Sequence, residues 1–202
     1  MNQTFFHLVF VVVFVIFFGI RAFYQRMAYQ TRGEIEYKEG VLHSTLRLIF
    51  GIPFVLMLLA YMLRPSILAW AHLPLPLWAQ WVGVLLGVVS IPLIWWIHWA
   101  LGSNFSTTLH IRDEHTLVTH GPYRWVRHPM YTVLYLYSIS ILLLTKNWLV
   151  GALFLLSLTI IVVMRINHEE ASMIEKFGDE YREYMEYTGR FLPRLMFSHQ
   201  NS

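Results

Sequence analysis

The sequence predicts an all-α, polytopic integral membrane protein with about five transmembrane helices and a C-terminal amphipathic helix. Three observations carry this. Hydrophobic residues make up 56% of the 202-residue chain and charged residues only 13%, about half the charged share of a soluble domain. The apolar residues gather in blocks near bilayer length. The charges fall between the blocks rather than inside them.

The first block, residues 5–20, is almost unbroken apolar, and its first basic residue, Arg21, follows it. A leader peptide places its positive charge before the apolar run and small residues at its end, so this block reads as a retained span. Residues 21–47 hold Arg21, Arg26, Arg32, Lys38 and Arg47 beside Glu34, Glu36 and Glu39. They read as an interfacial loop with room for a short helix. Residues 48–63 form the second span, with a kink expected at Pro53. Pro65, Pro74 and Pro76 mark a short loop over 64–77.

Residues 78–99 form the third span. Trp78, Trp81, Trp95, Trp96 and Trp99 sit near its ends, as in the aromatic belts of membrane interfaces, and Pro92 predicts a second kink. A long polar loop covers 100–128. The fourth span, 129–145, opens on Pro129, which suits a first helical position because its missing N–H has no partner there anyway. Thr145-Lys146-Asn147 allows only a tight turn before the fifth span, 148–165. The hairpin 129–166 thus returns Arg165 to the face that holds His128. Residues 168–187 predict one amphipathic helix, because Ile174, Phe177, Tyr181 and Tyr184 recur at helical spacing. The chain divides into N-terminal spans (1–99), a core (100–195) and a tail (196–202), with no internal repeat.

Five spans put the ends on opposite sides. Of the fifteen Lys and Arg residues, all but Arg64 and Lys146 then share one side. The positive-inside rule makes that side cytosolic and the N-terminus external. The basic surplus is explained by topology, and no stretch has the density of a nucleic-acid binder. Without cysteine there is no disulfide, thiolate metal site or cysteine nucleophile. His110, His115 and His120 recur every five residues, a spacing that does not stack side chains on a helix, so no metal site is expected. No P-loop, Ser-His-Asp pattern or dinucleotide fingerprint stands out.

Two polar runs remain. One spans 115–131, and the other is Arg165-Ile-Asn-His-Glu169-Glu170 at the mouth of the fifth span. Ionisable groups at membrane depth are costly, and adjacent carboxylates repel unless cations sit near them. Arg165 lies four residues before Glu169, on one helical face. An ion pair there would leave Glu170 free for a cationic ligand. Arg124 suits a snorkelling role. The two runs are expected to fold onto each other as one small-molecule site.

The ordered set Gly121-Pro122-Tyr123, Arg127-His128-Pro129-Met130-Tyr131, Glu169-Glu170, Phe177-Gly178-Asp179-Glu180-Tyr181 and Arg190-Phe191-Leu192-Pro193 resembles the isoprenylcysteine carboxyl methyltransferase family and its phospholipid methyltransferase-like relatives. The resemblance covers roughly residues 110–195 and implies S-adenosylmethionine as methyl donor. It implies cofactor contacts from His115, Thr116, Leu117 and Val118, from Gly121 and Tyr123, from His128, Pro129, Met130 and Tyr131, and from Glu169. It also makes Arg165 the acceptor-side residue. One departure is Val133, where relatives often carry glycine; it is expected to narrow the hairpin mouth.

The acceptor implied is lipophilic, most simply a carboxylate of isoprenylcysteine type, which is ionised at neutral pH and needs no base. Arg165 would hold such a carboxylate. A phospholipid amine or a thiol is the alternative, and an amine needs a base, for which His128 and Glu170 are the candidates. A nicotinamide-dependent membrane reductase of sterol-reductase type and a non-catalytic membrane scaffold are the other readings. Membrane lipids are expected neighbours; an obligate protein partner is not.

Overall fold

A computed structural model describes residues 3–30, 55–102 and 116–194. The described residues form α1 (Gln3–Gln30), α2 (helical over 55–63), α3 (Leu77–Leu101), α4 (Pro129–Thr145), α5 (Trp148–Phe177) and α6 (Asp179–Tyr187), with short 3-10 segments at Pro65–Ala71 and Gly121–Arg124. They contain no β-strand, only two isolated bridges, His72 with Asn147 and Val126 with Gly189. α1, α3 and α5 are long and apolar enough to cross a membrane, and α4 is a shorter apolar helix. Pro53, the expected kink in the second span, lies outside the described residues.

Two helices run further than the polarity of the sequence suggests. α1 continues to Gln30, so Arg21 and Arg26 lie on it and not in a loop. No glycine or proline interrupts Arg21–Gln30, and the residues there are ordinary helix formers. The change from apolar to polar marks the exit from hydrocarbon, not the end of the helix. α5 likewise runs to Phe177. The expected single helix over 168–187 is therefore two pieces, divided at Gly178, whose φ is +56°. That left-handed conformation suits glycine, and Asp179 and Glu180 then occupy the first turn of α6, where carboxylates favour the helix dipole. α3 runs unbroken through Pro92.

Hairpin geometry follows the sequence closely. α4 opens on Pro129 and ends at Thr145, Lys146 adopts φ +46°, and Asn147 caps α5 by accepting from the Val150 N–H at 3.1 Å. Asn147 Nδ2 also donates to Leu68 O at 2.7 Å, and Leu73 N–H donates to Lys146 O at 2.7 Å. The turn is thus tied to the 3-10 segment beside it.

The core is an aromatic column. Phe6, Phe10 and Phe17 of α1 are fully buried. Phe17 stacks on Tyr137 of α4 at 4.1 Å, and Tyr137 meets Phe154 of α5 edge-on at 6.0 Å. Against α4, α3 presents small residues. A Cβ on Gly83 would sit 2.9 Å from Leu144 N, and one on Gly87 would sit 2.7 Å from Ser140 Oγ. Ser140 Oγ donates to Gly83 O at 2.7 Å. Close approach and interhelical hydrogen bonds replace the hydrophobic driving force that lipid removes. The outward surface is apolar, with Leu8, Val12, Leu85, Val88, Leu156 and Val163 exposed, as a lipid-facing surface must be. Trp70 and Trp148 meet at one end of the bundle, and Trp96 and Trp125 at the other.

Gly83→Ala is expected to destabilise the purified protein by about 1–3 kcal/mol, because the added methyl meets backbone rather than a side chain that can move. Thermal unfolding in detergent measures it; an unchanged midpoint would show that α3 and α4 can separate at no cost.

Candidate active site

The site is built where the loop after α3, the mouth of the α4–α5 hairpin and the tail after α6 converge. Gly121 has φ +59°, and a Cβ there would lie 3.2 Å from Ala100 Cβ and 3.5 Å from Trp96 Nε1. The 3-10 turn Gly121–Arg124 is therefore seated on the end of α3. Thr116 is exposed, Leu117 half-buried and Val118 buried on the way into this turn. His115 lies outside the described residues. Tyr184 of α6 donates to Tyr123 O at 2.6 Å. Burial, with Tyr184 and Glu169 nearby, pushes the Tyr123 phenol above its ordinary pKa, so it stays neutral.

The backbones of the loop and the tail run side by side. Arg127 N–H donates to Gly189 O at 2.8 Å and His128 N–H to Arg190 O at 3.1 Å. Thr132 Oγ1 donates to Phe191 O at 2.7 Å. Arg127 donates to Thr188 O at 2.5 Å and Met185 O at 3.2 Å, and so caps the carbonyl end of α6 with a cation.

The two glutamates have different roles. Glu170 is 4% exposed. Its Oε1 accepts from Arg127 Nε at 3.2 Å, His128 Nε2 at 3.1 Å and Arg190 Nε at 3.1 Å, and its Oε2 accepts from Arg190 Nη2. This carboxylate holds the Arg190 guanidinium above its usual pKa. Glu169 accepts from Tyr131 OH at 2.8 Å and pairs with Arg165 at 3.3 Å, while His128 Nδ1 lies 3.6 Å away. Its side chain is 23% exposed against 6% for Glu170. The expected Arg165–Glu169 pair is present. The expectation that Glu170 is left free for a cationic ligand is overturned: two guanidiniums and an imidazole enclose it. Glu169 is the carboxylate a ligand can reach.

His128 occupies the N-cap position of α4, but its side chain makes no capping bond. Its Nε2 is engaged with Glu170 Oε1, and its ring stacks on Tyr131 at 5.8 Å. Pro129 is buried, and Met130 packs against the core. Val133 is also core-buried, so its bulk is absorbed between helices. Tyr123, His128, Tyr131, Arg165 and both glutamates thus converge as the sequence suggests. Arg190, Arg127 and Tyr184 were not assigned roles on sequence grounds. The motif Arg190-Phe191-Leu192-Pro193 was the available signal for the first, and the helical stripe that includes Tyr181 and Tyr184 for the last. Among the described residues no group of three acidic or histidine side chains could hold a metal ion.

An apolar helical bundle with a charged, aromatic site at one end defines the chain as a polytopic integral membrane protein. Residues 82–175 match the model of the isoprenylcysteine carboxyl methyltransferase (ICMT) family, so the resemblance drawn from the ordered motifs is borne out over that segment. The chain is 32% identical over 126 residues to the protein-S-isoprenylcysteine O-methyltransferase of Mus musculus, covering 61% of this chain and 44% of that protein. It is 38% identical over 94 residues to the Xenopus laevis enzyme, 46% of this chain and 33% of that one. The matched stretch therefore spans less than half of these relatives. The fold is similar to that of the eukaryotic intramembrane Ras methyltransferase ICMT, with a TM-score of 0.57 at 20% identity, covering 92% of this chain and 67% of that one.

Glu170→Gln leaves Arg127 and Arg190 without their counter-charge. Removing one partner of a buried ion pair costs about 3–5 kcal/mol. A drop in melting midpoint on the order of 10 °C is expected, clearly larger than for Glu169→Gln. Equal midpoints for the two variants would contradict the division of roles.

Proposed function

We propose that this protein is an intramembrane S-adenosylmethionine-dependent methyltransferase acting on a lipophilic acceptor, most simply a carboxylate of isoprenylcysteine type. The observation that carries this is Glu169: a reachable carboxylate beside Tyr131, His128 and Arg165, at the end of the bundle where the helices leave their apolar stretch. The residues fit the cofactor. Glu169 would face the positive charge of the donor, Tyr123 and the Gly121–Pro122 backbone would cradle the adenine, and His128, Pro129, Met130 and Tyr131 would line the rest, with Thr116, Leu117 and Val118 leading in. When bound, S-adenosylmethionine supplies an electrophilic methyl group, whose bond to sulfur breaks as a bond to the acceptor oxygen forms, giving a methyl ester and a neutral thioether.

The chain's own contribution is positioning in a dry setting. Arg165 orients the acceptor carboxylate. Tyr131 and His128 hold Glu169 in place. Glu170 acts on no reacting atom; it fixes the loop and tail around the site. An amine acceptor would need a free base, and the two candidates, His128 and Glu170, are bonded to each other. That favours an acceptor that is already ionised. The distribution of Lys and Arg supports a site on the cytosolic face with the N-terminus outside.

Calorimetry on the purified protein is expected to show S-adenosylmethionine binding with Kd on the order of micromolar, weakened about tenfold in Glu169→Gln. Absence of donor binding, with NADPH bound instead, would contradict the proposal and favour the reductase reading.

A further inference from the structure

We infer that Arg21, on α1, is a second carboxylate-binding residue for the acceptor and thereby sets a preference for anionic lipophilic substrates; this deepens the methyltransferase reading and rests on it. Arg21 belongs to neither polar run, and by polarity alone it falls in the expected 21–47 loop. On the continuous α1 its place is fixed by its neighbours one turn to either side. Phe17 stacks on Tyr137 of α4 at 4.1 Å, and Tyr24 packs on His98 of α3 at 4.9 Å. Both contacts face the bundle, so the stripe that holds Arg21 between them faces it too. Moving from Tyr137 toward the polar end of α4 leads to Tyr131, and Arg21 lies within electrostatic reach of Tyr131, Arg165 and His98.

Arg21 Nη1 is buried and has no hydrogen-bond partner among the described residues. A buried guanidinium N–H without an acceptor is costly. A guanidinium fork matches a carboxylate. The acceptor is favoured over the donor's carboxylate because Arg21 lies on a spanning helix whose adjacent Phe23 is 60% exposed on the outer surface. A lipophilic tail can lie along that surface while its head reaches inward.

The test uses the full chain in nanodiscs, with a prenyl-cysteine carboxylate, its primary amide and S-adenosylmethionine as probes, read by calorimetry and by radiolabelled methyl transfer. Arg21→Gln is expected to weaken carboxylate binding and raise its KM by about tenfold or more, to leave donor Kd within about twofold, and to leave the amide's affinity unchanged. Arg21→Lys is expected to recover part of the loss, since it keeps the charge but not the fork; it also serves as the deciding variant if Arg21→Gln does not fold. Unchanged carboxylate affinity in either variant overturns the inference. So does a loss confined to the donor, which would assign Arg21 to the donor's carboxylate. Failure of the wild-type protein to bind S-adenosylmethionine would sink the methyltransferase reading itself, a result distinct from failure of the Arg21 arm alone.

Discussion

The structure depends on one buried carboxylate. Glu170 collects hydrogen bonds from Arg127 on the loop before α4, from His128 at the mouth of that helix, and from Arg190 on the tail. Arg127 and His128 are neighbours, but Glu170 lies more than forty residues beyond them and Arg190 twenty further on, so the carboxylate joins segments far apart in sequence. A carboxylate at 4% exposure would be expensive alone; here two guanidiniums lie against it, and removing the carboxylate leaves both without their counter-charge. The backbone bonds between 127–128 and 189–190 run alongside and fix the same register. The consequence is a division of labour between adjacent glutamates. One holds the scaffold, and the other stays within reach of a ligand.

The membrane shapes the rest. Helices that cannot associate by excluding water associate through close contact and internal hydrogen bonds. Gly83, Gly87 and Ser140 supply both between α3 and α4. The aromatic column of Phe17, Tyr137 and Phe154 then ties α1 and α5 to that pair. With the bundle rigid at its centre, the charged residues at its end are placed by helix geometry, and the short turn at Thr145–Asn147 sets the register of Arg165 against His128.

The apolar blocks and the all-α class were legible in the sequence because they rest on composition and on rules with period and length. The hairpin was legible to the residue: Pro129 starts one helix and Asn147 caps the next. Helix ends that coincide with a change in polarity were not. Polarity reports the solvent, and only a breaker such as Gly178 reports the end of a helix. The convergence of Tyr123, His128, Tyr131, Arg165 and Glu169 was legible through motifs and the hairpin. The enclosure of Glu170 was not, because Arg190 sits twenty residues away beyond a turn whose direction depends on Gly178. Arg21 was hidden for the same reason as the end of α1.

The most direct test of the account is a double-mutant cycle on Glu170 and Arg190, read by donor affinity in calorimetry. If both act only by holding one node together, Glu170→Gln combined with Arg190→Gln weakens binding little more than either change alone, with a coupling on the order of 1–3 kcal/mol. Losses that simply add would mean that the two residues act independently and that no shared node organises the site.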